Sequence, residues 1–248
     1  MNYRFKDWAA PAKNTTPGPL ALQSLLCQMR KGGISYCAME VSSHALDQQR
    51  TAGLEFHSAI FTNLTQDHLD YHKKIKAYFL AKARLFSGLG RSAFAVLNSD
   101  DRFYSHLRKL TRARIFSYGV IKDAAIRAND IRFSSCGTEF LLSSAAGDMS
   151  CKTNLIGRHN LYNILAAAGW ALAEGISPET VKSAIEGFSF VPGRLERVGP
   201  NGSFSVFVDY AHTEDALKNI LLSLRQFAKA RIIVVFGCGG DRDKTKRP

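Results

Sequence analysis

Three features that would place this chain in a specialised class are scarce or missing. Its longest apolar runs, such as 164–172 and 231–236, fall short of the roughly 20 residues that cross a bilayer. The segment 1–11 contains no apolar stretch of the kind that a secretory signal requires. The five cysteines are an odd number at irregular spacings, without a CxxC pair. We therefore expect a cytoplasmic protein with reduced thiols and no contact with a membrane.

Low-complexity segments and internal repeats are also missing from the 248 residues. Hydrophobic residues make up 46% and charged residues 22%, which is typical of a globular protein. The formal charge of +12, from 33 Lys and Arg against 21 Asp and Glu, favours an anionic partner. The basic residues are spread along the chain without an RRM, helix-turn-helix or zinc-finger pattern. A polyanionic small substrate therefore explains the charge, and we expect no nucleic-acid partner.

Apolar segments alternate with helical patterns in the first half of the chain. The leucines of 18–30 recur at helical spacing and predict a helix. Short apolar runs, each ending in polar residues, follow at 34–43, 58–67 and 93–101, and helical patterns separate them. This alternation predicts a parallel α/β sheet, whose ligands bind beyond the carboxyl ends of the strands. The polar residues expected along that edge are Glu40, Asn63, Asp67, His68, Asn98 and Asp100.

The pattern changes after residue 122. Between about 123 and 155, alternating residues broken by turn residues predict a small antiparallel meander. Helical patterns resume at 160–174 and 178–187.

A second α/β unit is expected after the segment 191–194, whose Pro-Gly pair is typical of a hinge. There the run 204–210 predicts a strand, 213–228 a helix, and 231–241 another strand. The predicted domains are residues 1–194 and residues 195–248.

Two candidate metal ligands follow expected strands. Glu40 ends an apolar run, where a carboxylate can reach a hard cation such as Mg²⁺, although most strand-end glutamates are simply solvated. His68 and His72 stand four residues apart, as in the zinc-protease motif HExxH. Leu69 occupies the position of the glutamate that this motif requires, which excludes a zinc protease.

Lys82 lies on the apolar stripe of the helix that the pattern predicts over 74–87. One interpretation is a lysine that buries its aliphatic stem and extends its ammonium group to the surface. The other is a lysine brought to a site for its charge or its reactivity. The pattern of this helix leaves both open.

Read in order, eight stretches of the chain resemble the Mur ligase family, in the branch of UDP-N-acetylmuramyl-tripeptide synthetases that add diaminopimelate or lysine. MEVSSHALDQ and GCGGDRDK are specific to this branch, whereas the other stretches are shared more widely. The stretches are Asn14-Thr15-Thr16-Pro17, MEVSSHALDQQR at 39–50, FTNLTQDHLDYH at 61–72, AYFLAKARLF at 77–86, LIGRHNLYNILAA at 155–167, PGRLE at 192–196, VDYAHTEDAL at 208–217 and FGCGGDRDKTKRP at 236–248.

The resemblance implies a fold and a set of roles. It implies a P-loop-like ATPase middle domain followed by the start of a Rossmann-like domain, in a monomeric enzyme that uses ATP and Mg²⁺. The implied Mg²⁺ ligands are Glu40, His68 and Lys82, the last as N6-carboxylysine. The residues implied to hold the UDP-linked muramyl dipeptide are Asn14, Thr15, Thr16, Ser42, Gln48 and Arg50, with Arg242 for the incoming amino acid. The residues implied to contact ATP are Asn160, Asn163, Arg194, Asp209, Tyr210 and His212. The implied catalytic residues are Lys82, Arg194 and His68.

The implied reaction is ATP-dependent amide formation in peptidoglycan precursor synthesis. The D-glutamyl carboxylate attacks the γ-phosphate of ATP, and the amine of meso-diaminopimelate or L-lysine displaces phosphate from the resulting acyl phosphate. The chain departs from the family because it contains no Gly-Lys-[Ser/Thr] phosphate loop. We therefore expect an inactive fragment that lacks the N-terminal domain, this loop and most of the C-terminal domain. The alternative is a non-catalytic protein of the same fold that binds a nucleotide sugar or a partner.

Overall fold

The computed structural model describes residues 2–65, 69–199 and 204–237. The strands are β1 (Asn2–Phe5), β2 (Trp8–Pro11), β3 (Ser58–Phe61), β4 (Phe94–Asn98), β5 (Arg114–Gly119), β6 (Ile126–Ser134), β7 (Gly137–Ser144), β8 (Gly147–Thr153), β9 (Glu196–Val198) and β10 (Val206–Val208). The helices are α1 (Pro19–Lys31), α2 (Ser43–Asp47), α3 (Leu69–His72), α4 (Ile75–Ser87), α5 (Tyr104–Leu110), α6 (Arg158–Ala173), α7 (Pro178–Gly187) and α8 (Glu214–Arg225).

The main sheet has six strands in the order β3-β4-β5-β6-β7-β8. Its first four strands are parallel and its last three antiparallel, so β6 belongs to both parts. The predicted α/β fold with an antiparallel meander is confirmed, and the meander continues the parallel sheet because Tyr118 and Gly119 pair with Ile126 and Arg127. Two separate antiparallel pairs, β1-β2 and β9-β10, lie outside this sheet.

Strand β4 is the centre of the core. All five of its residues are buried, and the four apolar ones alternate between two hydrophobic clusters. Val96 packs with Leu161 and Leu165 of α6, whereas Leu97 packs with Phe79 of α4 on the opposite face. A strand covered on both faces carries a continuous apolar run, which explains the sequence FAVLN.

The helices expected at 18–30, 74–87, 160–174, 178–187 and 213–228 are all confirmed within a few residues. Their ends follow local chemistry: Ser177 accepts a hydrogen bond from the Thr180 N–H at the start of α7, and Pro178 occupies its first turn. No helix in the described ranges combines the length and the apolar character that a bilayer crossing demands.

Two expected strands are wrong. Residues 34–42 form no strand, and neither do residues 231–237, the described part of the second run. A strand requires a hydrogen-bonded neighbour, and apolar composition alone does not supply one. Val235 is 95% exposed, so the run 231–237 is not covered by the described residues. Strand β5, helix α5 and the β1-β2 hairpin were not predicted.

Candidate functional site

Thr16 joins two of the predicted substrate-binding segments. Its side chain is fully buried, and its Oγ1 donates a hydrogen bond to the Glu40 backbone oxygen at 2.8 Å. The same atom accepts a bond from the Ser42 N–H at 3.0 Å. The Ser42 hydroxyl in turn accepts from the Ala45 N–H and caps α2. A single threonine therefore fixes where α2 begins.

Arg50 follows the C-terminal end of α2 and bonds back to Thr16. Its Nη1 donates to the Thr16 backbone oxygen at 3.0 Å, and its Nε and Nη2 donate to Gln48 Oε1 at 2.9 and 2.7 Å. These partners are neutral, so they do not compensate the positive charge that the guanidinium offers to an anionic ligand. Asn14 is exposed and its backbone oxygen accepts from the Tyr3 hydroxyl, while Thr15 is half-buried. Hydrogen bonds thus join four of the six predicted dipeptide-binding residues, Thr16, Ser42, Gln48 and Arg50, into one group that we call the polar edge. Asn14 and Thr15 directly precede this group in the chain.

Lys82 is half-buried, as its place on the stripe of α4 predicts. Its Nζ lies 5.2 Å from the centre of the Tyr78 ring, which is a cation–π distance. Tyr78 stacks on His72 with 5.3 Å between ring centres. The Nε2 of His72 lies 3.0 Å from the Ser43 hydroxyl of α2. Lys82 is therefore connected through side chains to the helix that Thr16 and Arg50 hold.

The predicted Mg²⁺ ligands are only partly described. Glu40 is exposed, and its carboxylate oxygens are the hard donors that Mg²⁺ prefers. The ammonium of Lys82 is no ligand unless it is carbamoylated. His68 and Arg242 lie outside the described residues. In the part of the chain that the structure covers, no three His, Cys, Asp or Glu side chains form a group that could hold a metal ion.

Four of the predicted ATP-contacting residues meet at the expected hinge. The Asp209 carboxylate accepts hydrogen bonds from the Leu195 N–H at 2.8 Å and the Ala211 N–H at 2.7 Å. Arg194 lies over the Tyr210 ring at 5.5 Å. His212 packs against the same ring at 5.2 Å. Asp209 therefore ties the residue after Arg194 to the segment that carries Tyr210 and His212.

Helix α6 carries the other two predicted ATP contacts, Asn160 in its first turn and Asn163 in its second, in different environments. Asn160 is 2% exposed and donates a hydrogen bond to the Ile156 oxygen at 2.8 Å, whereas Asn163 is exposed. Sequence reasoning missed His159, which directly precedes Asn160 in α6. Burial lowers the pKa of His159, the nearby Asp209 carboxylate raises it, and Arg194 lowers it. The net result is a lowered pKa for His159, and burial is the main cause.

Asp100 follows the carboxyl end of β4, as expected, but its contacts there stabilise the fold. Its carboxylate accepts hydrogen bonds from the N–H groups of Val120, Ile121 and Lys122 and from the Tyr162 hydroxyl at 2.6 Å. Partial burial opposes its ionisation, but these hydrogen bonds outweigh the burial and lower the pKa of Asp100. The carboxylate thereby anchors α6, through Tyr162, to the loop after β5.

We expect Asp100→Asn to destabilise the fold by about 1 kcal/mol or more at pH 7, because an amide cannot accept all four hydrogen bonds. The pKa of Asp100 is lower in the folded protein than the value of about 4 that it has in the unfolded chain, so the ionised carboxylate stabilises the fold above about pH 4. This stabilisation is lost as the pH falls through the pKa of the folded protein. Urea unfolding between pH 7 and pH 3 should therefore show a weaker acid dependence in the variant. The exposed Asp148→Asn is the matched control. Equal acid dependence in Asp100→Asn and the wild type would contradict the prediction.

Comparison with known families matches almost the whole chain. The model of the Mur ligase middle domain matches residues 2–171, and that of the Mur ligase glutamate ligase domain matches residues 193–248. A Geobacillus kaustophilus protein named UDP-N-acetylmuramoyl-L-alanyl-D-glutamate--2,6-diaminopimelate ligase is 47% identical over 254 residues, covering 100% of this chain and 52% of that protein. A Gloeobacter violaceus protein of the same name is 46% identical over 246 residues, covering 99% and 50%. The chain thus spans about half the length of these curated relatives.

Solved structures agree with this match. A structure titled UDP-N-acetylmuramoyl-L-alanyl-D-glutamate--2,6-diaminopimelate ligase superposes with a TM-score of 0.77 at 34% identity, covering 94% of this chain and 48% of that one. The MurF ligase from Thermotoga maritima, solved in complex with ADP, superposes with a TM-score of 0.68 at 16% identity, covering 88% and 50%. The second likeness shows the shared fold alone.

Proposed function

This chain belongs to the Mur ligase family, and we propose that it forms the ATP-handling middle of a cytoplasmic ligase that adds meso-diaminopimelate to UDP-N-acetylmuramoyl-L-alanyl-D-glutamate. The observation that carries the proposal is the hydrogen-bonded edge of Thr16, Ser42, Gln48 and Arg50, joined by side chains to Lys82. The choice of diaminopimelate follows the names of the relatives. We further propose that the domain boundary lies at residue 194.

The polar edge fits the anionic part of such a substrate. Arg50 offers a fixed cation whose orientation is set by Gln48 and by the Thr16 oxygen, and the Ser42 segment is fixed by the Thr16 hydroxyl. A pre-organised edge of this kind positions a substrate carboxylate without further ordering of side chains. Asn14 and Thr15 extend the edge along the chain.

The hinge residues fit the nucleotide. In the proposed reaction a carboxylate oxygen of the dipeptide bonds to the γ-phosphorus of ATP, and ADP leaves. The amine then bonds to the acyl carbon, phosphate leaves, and the nitrogen loses a proton. Arg194 would neutralise the transferring phosphoryl group. Asn163 and Tyr210 are both exposed; Asn163 would contact the adenine, and Tyr210 would lie beside the nucleotide. When bound, Mg²⁺ would neutralise phosphate charge, held by Glu40, His68 and carbamoylated Lys82.

A chimera tests this function. The 248 residues would replace the matching stretch of the Geobacillus kaustophilus relative, which supplies the remainder of its own chain. We expect phosphate release that requires ATP, the UDP-muramyl dipeptide and diaminopimelate together, and a product with the mass of the tripeptide. The unmodified relative is the positive control. A folded chimera that binds the dipeptide but forms no product would support the non-catalytic binding protein instead.

A further inference from the structure

His72 is a buried polar residue without a role so far. Only 8% of it is exposed, and its Nε2 lies 3.0 Å from the Oγ of Ser43, which is also buried. His72 ends α3, whereas Ser43 begins α2, so this bond joins elements 29 residues apart in sequence. A buried hydrogen bond is costly to break, because neither group gains a bond to water in its place. The bond therefore fixes the His72 ring relative to α2.

The His72 ring also contacts Tyr78 of α4. The rings of His72 and Tyr78 are stacked, with 28° between their planes. Tyr78 and Lys82 stand four residues apart on α4, and the Lys82 ammonium lies over the Tyr78 ring. A continuous line of contacts thus runs from Ser43 through His72 and Tyr78 to Lys82.

Another connection between α2 and α4 is weaker. Arg84 of α4 pairs with Asp47 of α2 at 3.2 Å, but these side chains are 55% and 37% exposed. Ion pairs at such exposure contribute little to holding a geometry. Of these two side-chain connections, the buried one through His72 is therefore the better determinant of where Lys82 lies relative to α2.

We propose that His72 is a positioning residue, which places Lys82 against the substrate edge by coupling Ser43 to the Tyr78 ring. The proposal gains its functional meaning from the proposed role of Lys82 in the ligase. The geometric claim itself concerns only the environment of the Lys82 amine, so it can be measured without any turnover.

The test compares the reactivity of two lysines on α4. The protein is labelled with a small dose of acetic anhydride in buffer free of carbon dioxide, and mass spectrometry gives the ratio of Lys82 to Lys76 acetylation. Lys76 is exposed and serves as the internal standard. Ser43→Ala removes the hydrogen bond, whereas His72→Gln keeps a side-chain N–H but removes the ring. Loss of the cation–π geometry should raise the ratio by about two- to fivefold in both variants.

The control is Ser87→Ala at the end of the same helix. This change removes a hydroxyl that donates a hydrogen bond to the Arg84 backbone oxygen. It should leave the ratio at the wild-type value. A wild-type ratio in Ser43→Ala and His72→Gln, or an equal rise in Ser87→Ala, would overturn the proposal. Should Ser43→Ala fail to fold, His72→Gln decides alone. An inactive chimera with the expected ratios would defeat the proposed function and leave the positioning role standing.

Discussion

Replacing Lys82 by alanine should lower the turnover of the chimera by about 100-fold or more, because the reaction loses the carbamate proposed to hold the Mg²⁺ that offsets phosphoryl charge. Lys82 is half-buried, and its ammonium group lies 5.2 Å from the centre of the Tyr78 ring. Phosphate release at saturating ATP and dipeptide measures the effect. Since α4 keeps its buried face, the thermal unfolding midpoint should change little.

A matched lysine and a chemical rescue distinguish the role of the Lys82 group from a general effect on α4. Lys76→Ala, an exposed change on the same helix, should retain wild-type turnover. A short carboxylic acid such as propionate should partly restore the Lys82→Ala variant, because its carboxylate can take the place of the carbamate. Full turnover of Lys82→Ala without any additive would remove Lys82 from the proposed site.

Thr16→Val should lower the free energy of unfolding by about 3 kcal/mol, the second large effect that we expect. Valine has nearly the same shape, but it leaves the Ser42 N–H and the Glu40 oxygen without their bonds to the buried Thr16 side chain, in a partly buried place. Urea unfolding of the 248-residue chain measures the loss. In the chimera, the KM for the dipeptide should rise more than kcat falls, because the start of α2 is no longer fixed.

The neighbouring Thr15→Val is the control for this prediction. Thr15 is half-buried, and its replacement should change the free energy of unfolding by only about 0.5 kcal/mol. If Thr16→Val proved as stable as Thr15→Val, the hydrogen bonds of Thr16 would not hold the segment before α2, and the proposed substrate edge would lose its anchor.

The sequence predicted best those elements whose apolar residues recur at a regular spacing. The stripes of α1 and α4 and the alternation of the meander follow from the spacing of apolar residues, which local geometry dictates. The runs 34–43 and 231–241 have the same composition as true strands, yet their described residues form none. Whether such a run becomes a strand depends on a hydrogen-bonded neighbour, and composition does not reveal one.

The sequence by itself determined the alternating α/β order, the position of Lys82 on an apolar stripe, and the motifs that resemble the Mur ligases. Only the tertiary structure decided that Asp100 anchors α6 through Tyr162, and that Ser43 and His72 meet beside Tyr78. The physical reason is the range of the interactions. Helical periodicity acts over a few residues, whereas these contacts join residues 62 and 29 positions apart, which chain folding alone brings together.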